Sequence, residues 1–334
     1  MNPTTLQLRR LGSNGPVVSP VVLGCMGMSG MYGPADEQES IATIHAAIDA
    51  GINLLDTGDF YGMGHNEMLI GRALREYRGR RDDVLLSVKF GALRGPDGAW
   101  AGYDARPAAV KNFLAYTLQR LGVDHIDIYR PARLDAVVPI EETVGAIADL
   151  IQKGYVRYVG LSEVGAETVR RAAAVHPISD LQIEYSLVSR RPEKAIFPAL
   201  REMGIGATAY GVLSRGLLTR SKTQTQGDFR GRLPRFSGAN YEKNQALLEA
   251  LEEFAAARNA TPAQIAIAWV LAKEPIAVPV MGARTRRQLS ETLAALETRL
   301  TADEVAELER RVPAEEIAGT RYDEHQMRVL DSEK

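Results

Sequence analysis

Residues 51–74 read GINLLDTGDFYGMGHNEMLIGRAL. Gly51 follows a helix pattern and has the place of a helix-stop glycine. Asn53–Asp56 is a short apolar run that ends on an acid, Thr57–Gly62 is polar, and an amphipathic pattern follows. This alternation recurs along the chain. The apolar runs are Val21–Leu23, Asn53–Asp56, Val84–Lys89, Ile126–Tyr129, Val156–Gly160, Leu181–Ile183, Gly206–Tyr210 and Ala277–Val280. Each has the size of a strand buried on both faces.

Helix patterns fall between them. Ile41, Ile44 and Ile48 share one face, as do Val144, Ile147 and Ile151, and later Leu247, Leu251 and Phe254. Thr261-Pro262-Ala263-Gln264 and Thr301-Ala302-Asp303-Glu304 are capping boxes. Gly122, Gly154 and Gly204 stop helices as Gly51 does. Eight βα units in one uninterrupted chain most simply close into an α/β fold, a (β/α)8 TIM barrel spanning residues 1–334 as one unit, with extra C-terminal helices. A doubly wound sheet is the alternative, but no strand is followed by GxGxxG. Leu6–Arg10 and Pro16–Ser19, around Ser13-Asn14-Gly15, predict a β-hairpin before the first barrel strand. Ser214–Asn244 is polar and aperiodic, as expected of a lid over a ligand.

Composition excludes several function classes. The chain has 334 residues, 45% hydrophobic and 25% charged, with a net charge of −2, so it is not disordered. A pI near 6.3 argues against nucleic acid or an anionic membrane as partner. The lone Cys25 forbids an internal disulfide, and the five histidines show neither HxxxH nor HExxH, so no metal site is expected. Neither a signal core nor a membrane span is visible, and a cytoplasmic location is expected.

In a barrel the chemistry sits at the carboxyl ends of the strands. The polar residues there are Asp56 with Thr57–Gly62, Lys89, then Arg130, Arg133 and Asp135, Ser162 and Glu163, Gln182, Glu184 and Tyr185, Tyr210, and Gly282-Ala283-Arg284. Lys89 ends an apolar strand, so its ammonium needs a carboxylate, and Asp56 on the adjacent strand is the candidate. A tyrosine near that ammonium would have its pKa lowered and could protonate a carbonyl oxygen. The same spacing suits an Asp–Lys pair that only braces the barrel mouth, or a Schiff-base lysine. Gly282–Arg287, with Gln288 and Glu291 one turn on, opens a helix with arginines and reads as a phosphate site or a solvated basic helix start.

These segments resemble the aldo-keto reductases from end to end. The resemblance rests on LGSNGPVVSPVVLGCMGMSGMYG, GINLLDTGDFYGMGHNEMLIGRAL, LLSVKFG, YVRYVGLSE, LQIEYSL, YGVLSRGLLT and VPVMGARTRRQLSET. DFRGRLPRF and GTRYDEHQM are most similar to the bacterial and plant long-chain branch. The resemblance implies NADPH-dependent reduction of an aldehyde or ketone, by hydride transfer from C4 of the nicotinamide, with NADH less favoured. It makes Asp56, Tyr61 and Lys89 catalytic, with Tyr61 the proton donor. It puts Ser162, Glu163 and Gln182 at the carboxamide and Tyr210 against the nicotinamide ring. Gly211, Leu213, Arg215, Gly216 and Leu217 would hold the pyrophosphate, with Gly24, Met26 and Asp56 also at the cofactor. Gly282, Arg284, Gln288 and Glu291 would hold the adenosine end, with Arg284 on the 2′-phosphate. Many family members carry asparagine where Glu163 stands, and an ionised acid can only accept.

One departure matters more. The family places a catalytic histidine in a segment like QHRVD; here the segment is Tyr129-Arg130-Pro131-Ala132-Arg133-Leu134-Asp135, so the histidine position is Ala132. A methyl group cannot polarise a carbonyl. Two functions follow: a reductase of activated carbonyls such as quinones, dicarbonyls or pyridoxal-like aldehydes, or an NADP(H)-binding sensing subunit without useful turnover. The oligomeric state is left open. The remaining readings are structural. His45 is expected to pack against the barrel, His65 to lie in an exposed loop, His176 to end a helix, and Cys25 to be a buried filler. Met26, Met28 and Met31 read as pocket wall or core, and Trp100 as a substrate contact or an exposed loop residue.

Overall fold

The computed structural model describes residues 6–221 and 228–334. Its centre is a closed barrel of eight parallel strands: β1 Val22–Gly24, β2 Leu54–Gly58, β3 Leu85–Phe90, β4 Ile126–Pro131, β5 Val156–Ser162, β6 Ile178–Glu184, β7 Gly206–Tyr210 and β8 Ala277–Gly282. Each pairs with the next in the chain, and Gly282 of β8 lies beside Gly24 of β1 to close the ring. All eight expected runs are therefore strands. α1 Glu37–Asp49, α2 His65–Glu76, α3 Pro107–Leu121, α4 Ile140–Gln152, α5 Ala166–Val175 and α6 Ile196–Glu202 connect successive strands. α7 Gly238–Ala256 and α8 Pro262–Lys273 lie between β7 and β8, and α9 Arg286–Ala294, α10 Ala302–Arg311 and α11 Glu324–Val329 follow. Both capping boxes form, and Gly51, Gly122, Gly154 and Gly204 take positive φ after their helices.

The two-residue period of the strands decides which side chains enter the barrel. Leu55, Leu86, Val88 and Tyr129 point outward into the layer beneath the helices. Leu54 and Ile128 point inward and join Leu11 and Val18 of the short amino-terminal hairpin, which seals that end with an apolar plug. The alternate positions nearer the carboxyl ends are polar and hydrogen-bond to one another across the barrel: Asp56, Ser87, Lys89, Arg130, Asp180, Gln182 and Thr208.

Three expectations are corrected. Ser214–Asn244 is not wholly aperiodic: it holds short 3-10 turns at Ser214–Thr219, Phe229–Arg232 and Pro234–Phe236, and α7 already begins at Gly238. Its residues 222–227 lie outside the described ones. Polar Asn244 hid the helix, because its amide is buried and bonds the backbone of Ala318 and Arg235. His65 is not an exposed loop residue: it opens α2, half-buried, with Nδ1 2.9 Å from Ser29 Oγ. His45 packs between helices rather than onto the barrel, with Nε2 2.7 Å from the Ala73 carbonyl of α2. His176 closes α5, and Cys25 is fully buried, as expected. Met28 is core, while Met26 is half-buried. Among the described residues no helix is long and apolar enough to cross a membrane.

Candidate active site

At the carboxyl ends of β2 and β3, Lys89 Nζ donates to Asp56 Oδ1 at 2.5 Å, and both side chains are nearly inaccessible to water. Asp56 also accepts from Ser87 Oγ at 3.0 Å and Gln182 Nε2 at 2.8 Å, so its lone pairs are well used and its position is fixed. Tyr61 begins the turn after β2, and its buried ring lies 5.3 Å from Lys89 Nζ. The turn takes left-handed backbone at Gly62, where a Cβ would crowd Ser29 and His65, and at Met63. Strand alternation thus brings together the three residues the sequence singled out, from two strands and the loop between.

The electrostatics differ from expectation in one respect. Burial first, then the charge of Asp56, push the Tyr61 phenol well above its ordinary value, and Arg133 is the cation that most opposes them. Lys89 stands next to Asp56, whose charge offsets its field at the phenol. Burial lowers the Lys89 ammonium, and Asp56 pulls it back up. Asp59, two residues before Tyr61, is buried with Oδ1 unpartnered among the described residues. Burial pushes its carboxyl up to about 7, although the Gly91 N–H, donating at 3.2 Å, opposes the shift.

Beneath this cluster Arg130 is fully buried and paired with Asp180 at 2.9 Å, and it also donates to Ser87 Oγ and the Leu161 carbonyl. It belongs to the barrel interior, not the mouth. β5 makes room for it with Gly160, where a Cβ would stand 3.0 Å from the guanidinium carbon. Ala132, two residues on, is buried and continues the β3–β4 ladder through its N–H to the Phe90 carbonyl. Asp135 accepts from the Ala105 and Val137 N–H groups and shapes the loop. Tyr185 bonds Glu193 and packs on Phe197, away from the mouth.

The residues expected at the carboxamide are differently disposed. Ser162 Oγ is buried and unpartnered among the described residues. Gln182 has turned its amide nitrogen to Asp56. Glu163 is gripped by Arg321 through two hydrogen bonds of 2.9 and 2.6 Å, and by Ser332 and Tyr210. Burial raises the Glu163 carboxyl, but Arg321 outweighs it and holds the group well below the usual carboxylate range. Tyr210 Oη lies 3.0 Å from Tyr322 Oη. The carboxyl-terminal tail therefore forms part of this site. Sequence reasoning missed Arg321, Tyr322 and Ser332; GTRYDEHQM stood out only as a mark of the branch, because tail docking has no periodic signature.

Gly211 and Leu213 lead from β7 into the turn at Ser214–Thr219 that holds Arg215, Gly216 and Leu217. Arg215 reaches Glu184 at 2.7 Å and the Arg321 carbonyl at 3.1 Å. Across the barrel, Gly24 and Gly282 face each other at the ends of β1 and β8, and a Cβ on Gly282 would meet only the Gly24 carbonyl at 4.0 Å. Gln288 caps the Arg284 N–H, and Arg284 Nη1 reaches the carbonyls of Tyr32 and Pro34. Glu291 accepts from Thr261 at the start of α8 instead of facing the mouth. Trp100 is half-exposed in the hairpin that Ala92–Arg94 and Trp100–Tyr103 form after β3; it stacks with Arg94 at 3.9 Å and meets Phe60 edge-on at 5.7 Å.

With this geometry in hand, comparison with known proteins is decisive. The sequence model of the Aldo/keto reductase family matches residues 20–312. This chain belongs to that family. It is 37% identical over 304 residues to the aldo-keto reductase yakc [NADP(+)] of Schizosaccharomyces pombe, covering 89% of this chain and 88% of that protein. It is 39% identical over 329 residues to probable aldo-keto reductase 1 of Glycine max, covering 96% and 93%. Among solved structures, the glycerol dehydrogenase AKR11B4 of Gluconobacter oxydans matches with a TM-score of 0.80 at 30% identity, over 94% of this chain and 97% of that one. The holo form of AKR11C1 from Bacillus halodurans matches at 0.77 and 29% identity, over 96% and 99%. Membership in the aldo/keto reductases makes the chain an oxidoreductase on a (β/α)8 barrel.

Proposed function

We propose that this chain reduces an aldehyde or ketone to the alcohol with NADPH, Tyr61 giving the proton. The buried Asp56–Lys89 pair behind the Tyr61 ring carries the reading, because a barrel that only needed bracing would not require a phenol there. Two features support a nicotinamide cofactor: the orphaned Ser162 Oγ at the expected carboxamide position, and the paired Gly24 and Gly282, which keep two strand ends free of side chains. Arg286 is paired with Glu39 at 2.9 Å, but Arg284 and Arg287 beside it at the start of α9 suit a phosphate, and the fission-yeast relative is named for NADP(+), which favours NADPH. Ser162, Tyr210, Arg215 and Arg284 are the residues to hold the cofactor.

When bound, NADPH supplies the hydride to the carbonyl carbon. Tyr61 Oη protonates the oxygen, and because its pKa is raised it carries that proton across the neutral range. Lys89 stabilises the phenolate that remains, and Asp56 holds Lys89 charged and in place. Ala132 offers no hydrogen bond to the oxygen, and losing one such donor costs on the order of 10²–10³ in turnover. That favours activated carbonyls. The same methyl group motivates a second reading, an NADP(H)-sensing subunit. NADPH oxidation with activated aldehydes separates the two. We expect turnover, and Tyr61→Phe should lower it by about 10²–10⁴ while NADPH binding persists. Tight NADPH binding with no turnover of any carbonyl would sink the reductase reading.

A further inference from the structure

Three guanidiniums surround the Tyr322 ring, at 4.4 Å for Arg215, 5.4 Å for Arg321 and 5.8 Å for Arg133. Two of them have carboxylates. Arg215 pairs with Glu184 at 2.7 Å, and Arg321 pairs with Glu163 at 2.6 Å and Glu333 at 2.8 Å. Arg133 makes no ion pair among the described residues. Its Nη1 donates to the Ala132 carbonyl at 2.7 Å and its Nη2 to Tyr322 Oη at 3.1 Å, both neutral oxygens. Of the five N–H groups of a guanidinium, three have no partner among the described residues. Glu163 is close enough to favour the charged guanidinium, but its oxygens are taken by Arg321, so these N–H groups have no acceptor of their own.

Its location says what acceptor those N–H groups suit. Arg133 follows Ala132 at the barrel rim, close enough for its charge to act on both Tyr61 and Lys89. On its other side, Tyr322 Oη links it to Tyr210 Oη at 3.0 Å, the ring expected against the nicotinamide. The bonds to Tyr322 and to the Ala132 carbonyl fix the fork, so little side-chain freedom is lost on binding. We propose that Arg133 is a specificity-determining residue that pairs with the carboxylate of the substrate, so that this chain takes 2-oxo acids, whose carboxylate adjoins the reducible carbonyl. This rests on the reductase reading above. It also gives the substrate an activating neighbour where the family's imidazole is missing.

The test uses the full chain with NADPH and two probes, benzoylformate and neutral 4-nitrobenzaldehyde. Arg133→Met should raise KM for benzoylformate about 10- to 100-fold relative to KM for 4-nitrobenzaldehyde, the worth of one or two charge-assisted hydrogen bonds. Arg133→Lys should recover only part of the difference, because it keeps the charge but loses the fork. An unchanged KM ratio, or a fall in kcat shared by both probes without a change in that ratio, overturns the proposal. If the variants fail to fold, the wild type still decides: methyl benzoylformate should show a KM at least about tenfold above benzoylformate, and equal values refute the anchor. Binding of benzoylformate in the presence of NADP+, measured by calorimetry, separates the two claims. Arg133-dependent binding without turnover refutes the reductase reading and keeps the anchor; turnover of 4-nitrobenzaldehyde with no Arg133-dependent benzoylformate binding does the reverse.

Discussion

Replacing Asp56 by Asn keeps the shape and removes the charge. The asparagine can still accept from Ser87 or Lys89, but Lys89 then carries an unpaired ammonium at a site only 6% exposed. Breaking a buried pair in this way costs about 3–5 kcal/mol. The structure supplies an upper bound from chemistry, because Lys89 can escape by losing its proton. From an ordinary lysine pKa of about 10.4 that escape costs about 1.4 kcal/mol per pH unit, or roughly 4.6 kcal/mol at pH 7. The sign follows from proton counting. In the variant the folded lysine is neutral where the unfolded one is charged, so the unfolded state binds more protons and stability rises with pH. The deficit against wild type should therefore be about 3–5 kcal/mol at pH 7 and shrink by about 1.4 kcal/mol per unit toward pH 10. Urea unfolding at pH 7, 8 and 9, followed by fluorescence and circular dichroism together, measures it. A deficit under about 1 kcal/mol at pH 7, or one that does not change with pH, would refute the reasoning that Lys89 depends on Asp56 for its charge.

Two further predictions follow from buried acids. Asp59, raised to about 7, is protonated in the folded state where the unfolded chain is ionised; wild-type stability should fall as pH rises from about 4 to 7, and Asp59→Asn should remove that slope, so parallel melting-temperature profiles would refute the assignment. Arg321→Ala leaves the Glu163 carboxylate buried with its two guanidinium bonds gone; it should cost about 3–5 kcal/mol and speed proteolysis of the tail, and a tail that resists protease as before would show that the latch lies elsewhere.

The candidate site was legible to different depths. Asp56 and Lys89 were readable because each ends an apolar run, and the period of two sends alternate residues inward once one face is buried. Arg130 and Arg133 both looked like mouth residues. β4 ends between them at Pro131, which leaves Arg130 in the barrel interior on Asp180 and Arg133 on the rim with no direct ion pair among the described residues. Glu163 looked like a cofactor ligand, but its first partner is Arg321, which lies far along the chain. Nothing local in either segment encodes that meeting.

The sequence by itself determined the eight strands, the alternation of strands with helices, their order, two capping boxes and the inward set of Asp56 and Lys89, because periodicity and capping are local and act within a few residues. The tertiary structure alone decided that the tail docks into the mouth, that Arg321 claims Glu163, that Asp56 and burial outweigh cations at Tyr61, and that Arg133 has no direct ion pair among the described residues. Those outcomes are long-range: they depend on which charges approach within a few ångströms after the chain closes, and on how much water each loses in doing so.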